Sequence, residues 1–159
     1  MRNLFLIVVL PVFMIPILNS GLANAEYYRV FAKRIDSNLY KDTLSGALIE
    51  TQYCYEYAYG QEALLNYYKY SNNNKLTFNS GKSCDVKALI TDARQYVIEL
   101  EHKDELFIIN GEKFEAKTYC MGWHKGDKVI FVSGSPSGVC TSATLYNSSR
   151  EKSCEVWCE

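Results

Sequence analysis

The 159-residue chain carries 17 basic and 18 acidic side chains, is 48% hydrophobic and 14% aromatic, and has a formal net charge of −1. This composition is typical of a globular protein and excludes a disordered tail, a collagen-like fibre and a coiled coil. The sequence has no basic run, which argues against nucleic-acid binding. A chain of this length forms one ordinary domain or two small ones.

The first 25 residues have the organisation of a secretory signal peptide. Arg2 supplies a positive charge, residues 4–18 are apolar, and Ala23-Asn24-Ala25 is an A-x-A cleavage site. A membrane-spanning helix needs roughly 20 apolar residues, and this run is shorter and contains two prolines. We therefore predict cleavage after Ala25 and a secreted or periplasmic mature chain, with an uncleaved anchor as the alternative. No later segment is long and apolar enough to span a membrane, so no integral membrane segment is expected after removal of the leader.

The rest of the sequence predicts β-strands. Segments rich in Tyr, Val, Ile, Leu and Phe are separated by Gly, Asn and Ser clusters that favour turns, and helical periodicity is nearly absent. The predicted strands cover residues 27–34, 48–59, 63–70, 75–78 and 84–91 in the first half, and 96–102, 106–110, 114–124, 128–133, 139–146 and 154–157 in the second. Strands at this spacing are typical of sandwiches and small barrels.

The two halves repeat one pattern. Thr-Gln-Tyr-Cys at 51–54 recurs as Lys-Thr-Tyr-Cys at 117–120, and Lys-Ser-Cys-Asp-Val at 82–86 recurs as Lys-Ser-Cys-Glu-Val at 152–156. We therefore predict an all-β fold with two tandem, internally duplicated small antiparallel β units, barrel- or sandwich-like and stabilised by disulfides. After the signal peptide at 1–25, unit 1 is predicted to span residues 26–92 and unit 2 residues 93–159.

Six cysteines, an even number in an exported chain, predict three disulfides rather than metal ligands. The sequence has no C-x-x-C pair, and its two histidines are not spaced as a zinc pair, so we expect no metal and no other cofactor. If each unit carries the same bridge, the remaining two cysteines pair with each other. The predicted pairs are Cys54–Cys84, Cys120–Cys154 and Cys140–Cys158.

Alternating tyrosines occupy the predicted strand over 48–59, and residues at alternate positions of a strand share one face. They are Tyr53, Tyr55, Tyr57 and Tyr59. Two interpretations are open: the face is an aromatic platform for sugar rings or peptide side chains, or it packs against another sheet. Because large aromatic side chains are most often buried, and because the corresponding residues Tyr119, Met121 and Trp123 are equally apolar, we expect the face to lie in a core or an interface.

The sequence contains no nucleophile elbow, zinc-protease motif or Walker motif, and we assign no catalytic residue. His124 and Asp127, at a predicted hairpin tip, form the one candidate acid–base pair, and the first unit has no counterpart to it. An exposed turn is the expected role of this segment. Asn147-Ser148-Ser149 is a glycosylation sequon if the source is a eukaryote.

The sequence thus predicts an exported, non-enzymatic binding module for a protein or glycan partner, of which an inhibitor or immunity-type protein is one version. The candidate binding residues are Tyr55, Tyr57, Tyr59, Tyr68, Trp123 and His124. One alternative is a small extracellular or periplasmic hydrolase, which requires a pocket lined by His124 and Asp127. Another is a structural subunit of a surface assembly, which requires a large apolar patch or an unpaired strand edge.

Overall fold

The computed structural model describes residues 26–159, so the predicted signal peptide and its cleavage site lie outside the described residues. This range forms twelve β-strands. They are β1 Glu26–Asp36, β2 Leu39–Asp42, β3 Leu48–Gln52, β4 Tyr59–Tyr67, β5 Lys75–Phe78, β6 Ser83–Ile90, β7 Tyr96–His102, β8 Leu106–Ile109, β9 Glu112–Ala116, β10 Lys128–Ser133, β11 Ser142–Asn147 and β12 Lys152–Cys158. From residue 26 to the end, the chain forms no helix with the length and apolar character needed to cross a membrane.

The strands close into two six-stranded antiparallel barrels. Barrel 1 has the order β1-β2-β3-β6-β5-β4, and barrel 2 has the same order, β7-β8-β9-β12-β11-β10. Closure is completed by pairing of β1 with β4 in barrel 1, where Val30 lies opposite Ala63, and of β7 with β10 in barrel 2. The shared order confirms the all-β fold of two duplicated small units, in its barrel form.

Each barrel encloses its own apolar core. Along β1 and β4 the buried side chains alternate with more exposed ones, as in any strand with one face turned to a barrel interior. Tyr40 and Phe107 hold equivalent positions at the centres of the two cores, and both are fully buried. The alternation of apolar and polar residues along these strands therefore identifies the side chains that face the interior of each barrel.

Three disulfides bridge the chain in the predicted pairs. They are Cys54–Cys84, Cys120–Cys154 and Cys140–Cys158, with Cα–Cα distances of 5.5, 5.6 and 5.5 Å. The first two join the segment after the third strand of each barrel to that barrel's sixth strand, so they are the same bridge used twice. The third fastens the end of β12 to the loop between β10 and β11.

Two of the predicted strands end earlier than expected, at the same place in the repeat. β3 ends at Gln52 instead of residue 59, and β9 ends at Ala116 instead of residue 124. Tyr53, directly after β3, has a φ of 51°, in the left-handed region that breaks a strand, and Gly122 has a φ of 79° in the second segment. Both segments are irregular loops, and the expectation that they continue the strands was wrong.

The barrels meet at a small apolar cluster bordered by ionic contacts. Leu39 and Leu48 of barrel 1 pack with Tyr146 of barrel 2, and all three are buried. The Glu151 carboxylate lies 2.6 Å from Lys33 Nζ and 2.8 Å from Lys41 Nζ, so it bridges from barrel 2 to barrel 1. A cleft opens beside this contact.

Candidate functional site

Residues 53–59, which we call the tyrosine loop, present four tyrosine side chains to solvent. Tyr53, Tyr55, Tyr57 and Tyr59 are 58 to 85% exposed. The expectation that these rings lie in a core or an interface was wrong. A closed barrel has a single interior, which the inward side chains of its strands already fill. Within residues 26–159, no second sheet covers these rings on the outside of barrel 1.

The backbone of the tyrosine loop is held firmly although residues 53–58 belong to no strand. Cys54 and Ala58 are buried, and Cys54 is covalently bonded to β6. Three hydrogen bonds fix the even-numbered residues: from Cys54 N to Asn38 Oδ1 (3.0 Å), from Tyr40 Oη to Glu56 O (2.7 Å), and from Arg34 N to Ala58 O (2.8 Å). The even-numbered residues thus anchor the loop while the tyrosines between them point to solvent.

A cation adjoins the tyrosines. The Arg34 guanidinium carbon lies 4.7 Å from the centroid of the Tyr57 ring, within the range of a cation–π interaction. Arg34, Tyr57 and Tyr59 line a shallow hollow of about 340 Å³. The loop therefore combines aromatic rings, hydroxyls and a guanidinium on one anchored surface.

The equivalent loop of barrel 2 keeps only part of this surface. Tyr119 and Met121 are exposed, whereas Trp123 is 1% exposed and packs against Phe107 with ring centroids 5.8 Å apart. Trp123 was a candidate binding residue, and its burial makes it a core residue instead. Tyr119 and Met121 were not among the candidates, although the repeat aligns them with Tyr53 and Tyr55.

The structure does not bring Tyr68 to the tyrosine loop. Tyr59 begins β4 and Tyr68 follows its last residue, so the two are separated by roughly 30 Å of extended chain. Tyr68 is half-buried, and its backbone N–H donates to Asn74 Oδ1 at 2.8 Å. It belongs to the turn between β4 and β5 rather than to the site.

Asp127 braces a turn, and its contact with His124 is made through the backbone. The Asp127 carboxylate accepts hydrogen bonds from His124 N (3.1 Å), Asn147 Nδ2 (2.9 Å) and Arg150 Nε (3.1 Å). Burial alone would raise the pKa of Asp127, but the bonds from Asn147, Arg150 and His124 outweigh it and hold the pKa below its ordinary value. The exposed His124 imidazole takes no part, so the two residues do not form an acid–base pair.

A second concave surface lies between the barrels, and we call it the inter-barrel cleft. Its volume is about 420 Å³. Barrel 1 contributes residues 36–39 and 50–53 together with Lys87, and barrel 2 contributes mainly hydroxyl and charged side chains. Tyr53 belongs both to this cleft and to the tyrosine loop, so the two surfaces adjoin.

Within residues 26–159, no group of three or more His, Cys, Asp or Glu side chains is arranged to hold a metal ion. No protein-family model, curated protein or solved structure matches this chain. The function is therefore inferred from the geometry of the two adjoining surfaces.

Proposed function

We propose that this protein is an exported, non-enzymatic binding module that recognises a protein partner through the tyrosine loop. The observation that carries this proposal is the exposure of four tyrosine side chains on a loop whose backbone is anchored at every second residue. An inhibitor or immunity-type protein that blocks an extracellular enzyme is one concrete form of such a module.

The chemistry of tyrosine favours protein recognition. Each ring offers a large apolar area together with a hydroxyl that both donates and accepts hydrogen bonds. Tyrosine also loses little conformational entropy on binding because it has only two side-chain torsions. Tyrosine and arginine are enriched among the residues that dominate binding energy in protein interfaces, and Arg34 lies against Tyr57.

The anchoring of the loop supports the same conclusion. A loop that must be ordered during binding loses part of its interaction energy to that ordering, whereas a preformed loop does not. Here a disulfide and three hydrogen bonds hold the backbone before any partner arrives. Three disulfides and the predicted signal peptide support export, because disulfides persist in oxidising compartments.

The proposal is tested by partner capture with paired variants. Tyr55→Ser combined with Tyr57→Ser removes two rings of the loop, and Tyr27→Ser combined with Tyr70→Ser removes two equally accessible rings elsewhere on barrel 1. We expect the tagged wild-type protein and the control to retain the same protein from the exported fraction, and the loop variant to bind it at least about tenfold more weakly. Thermal melts establish that both variants are folded. Equal affinity of all three proteins, or no specific partner for the wild type, would contradict the proposal.

A further inference from the structure

The inter-barrel cleft is lined by neutral polar side chains from both barrels. Barrel 2 contributes the hydroxyl groups of Ser133, Ser142 and Thr144. Barrel 1 contributes the Gln52 amide and the Nδ2 group of Asn38, whose Oδ1 already accepts a hydrogen bond from Cys54 N. Sites between domains are common positions for ligands, and hydroxyls and amides both donate and accept hydrogen bonds. The cleft is therefore suited to a ligand whose own groups both donate and accept hydrogen bonds.

The charged groups of the cleft compensate one another. Its carboxylates belong to Asp36, Glu50 and Glu155, and its ammonium groups to Lys87 and Lys117. Lys117 Nζ lies 3.0 Å from Glu155, and Asp36 accepts hydrogen bonds from the backbone N–H of Ser37 (2.6 Å) and from the hydroxyl of Ser153. A cationic ligand would meet two ammonium groups and an anionic ligand three carboxylates, so the charge pattern favours a neutral ligand.

One oppositely charged pair in the cleft, Glu50 and Lys87, forms no direct hydrogen bond. The Glu50 carboxylate and Lys87 Nζ are 3.9 Å apart, which is too far for a hydrogen bond, and no residue among 26–159 donates a hydrogen bond to that carboxylate. Burial raises the pKa of Glu50, and the nearby charge of Lys87 offsets this only in part. A ligand hydroxyl between the two groups can donate to Glu50 and accept from Lys87.

We propose that the inter-barrel cleft is a binding site for a neutral oligosaccharide. One sugar hydroxyl bridges Glu50 and Lys87, other hydroxyls bond to the serine, threonine and amide groups of both barrels, and the exposed ring of Tyr53 packs against the face of a sugar at the rim. The site goes beyond the proposed protein recognition, and of residues 53–59 it contains only Tyr53.

The test is an NMR titration of the ¹⁵N-labelled protein, residues 26–159, with three neutral trisaccharides: maltotriose, cellotriose and N,N′,N″-triacetylchitotriose. We expect at least one of them, at millimolar concentration, to shift the amide resonances of residues 50–53 and 142–144. Thr144→Val removes a cleft hydroxyl without changing the shape of the side chain and should weaken binding about fivefold or more. Thr77→Val, the same change on β5 outside the cleft, should leave the affinity unchanged.

The proposal is overturned if none of the three trisaccharides shifts these resonances, or if Thr144→Val binds as tightly as the wild type. It is also overturned if methylguanidinium or phosphate shifts the cleft resonances while the sugars do not, because the cleft would then select charge. The variant with Tyr55→Ser and Tyr57→Ser alters no residue of the cleft and should bind sugar normally. The two proposals can therefore fail separately: the loop variant can lose partner capture and still bind sugar, and a cleft variant can lose sugar binding and still capture the partner.

Discussion

Asn147, the last residue of β11, uses both ends of its amide in a fully buried position. Its Nδ2 donates to Asp127 at 2.9 Å, and its Oδ1 accepts from the backbone N–H groups of Ser149 (3.0 Å) and Arg150 (3.1 Å). A glycan on Nδ2 would have to occupy a site with 0% exposure and would compromise the bond to Asp127. Although Asn147 begins a sequon, the folded structure uses it to brace the turn between β11 and β12.

Replacing Asn147 should therefore destabilise barrel 2. Asn147→Ala leaves a buried carboxylate with fewer donors and two N–H groups with no acceptor, and we expect the free energy of unfolding to fall by about 2–3 kcal/mol. Ser149→Ala destroys the same sequon but spares the amide, so it should change stability by no more than about 0.5 kcal/mol. Urea unfolding of both variants measures the difference, and equal midpoints would show that Asn147 has no structural role.

At the scale of elements, the tyrosine loop depends on one core side chain. Tyr40 is fully buried in barrel 1, where barrel 2 has Phe107, so the barrel itself accepts a residue without a hydroxyl. The Tyr40 hydroxyl donates instead to Glu56 O at 2.7 Å. The core of barrel 1 is thus connected directly to the surface that carries the exposed rings.

Tyr40→Phe should loosen the tyrosine loop and leave barrel 1 folded. Loss of this hydrogen bond should lower the free energy of unfolding by about 1 kcal/mol and speed amide hydrogen exchange in residues 55–58. Tyr67→Phe is the matched control, because Tyr67 packs against the same core and its hydroxyl makes no hydrogen bond within residues 26–159. Similar exchange in residues 55–58 of the two variants would refute the anchoring role of Tyr40.

The sequence predicted those parts of the fold that depend on the inner faces of the barrels. Strands β5, β7 and β10 have the predicted bounds, and the three disulfides follow from the repeat. The tyrosine loop was assigned to a strand because a strand and a loop anchored at every second residue show the same alternation. Their difference lies in the hydrogen-bond partners, Asn38 and Tyr40, which are distant in sequence. Alternation also does not distinguish the inside of a barrel from its outside, so the exposure of the rings was not predicted.

At the scale of the whole molecule, the contact between barrels is small and mixed in character. Its apolar part, around Leu39, Leu48 and Tyr146, lies on the outward faces of strands whose other faces fill the barrel cores. These residues look in the sequence like ordinary strand positions, and no local pattern identified them as an interface or predicted the cleft beside them. The ionic part depends on Glu151, which reaches both Lys33 and Lys41 across the contact.

Glu151 should make the barrel contact sensitive to acid. Hydrogen bonds from Lys33 and Lys41 hold the pKa of the Glu151 carboxyl at about 2, below its ordinary value of 4.5. The ionised carboxylate therefore stabilises the folded protein fully above the ordinary pKa, and this stabilisation is lost as the pH falls from about 4.5 to about 2. Because the Glu151 side chain is 41% exposed, we expect its charge to contribute no more than about 1 kcal/mol to the free energy of unfolding.

The Glu151→Gln variant tests this dependence by urea unfolding at several pH values. It should be less stable than the wild type at neutral pH, and the difference should disappear by about pH 2, where Glu151 of the wild type becomes protonated. Glu62→Gln is the control, because Glu62 forms a surface ion pair with Arg29 of the same barrel, and no ion pair within residues 26–159 joins Glu62 to barrel 2. NMR signals of Val30 in the core of barrel 1 and Ile98 in the core of barrel 2 follow the unfolding of each barrel separately. Loss of the Glu151 bridge should weaken the contact between the barrels and leave the packing of both cores unchanged. Two results would show that the carboxylate does not connect the barrels through its charge. One is a difference in the free energy of unfolding between Glu151→Gln and the wild type that persists at about pH 2. The other is the same loss of stability in Glu62→Gln.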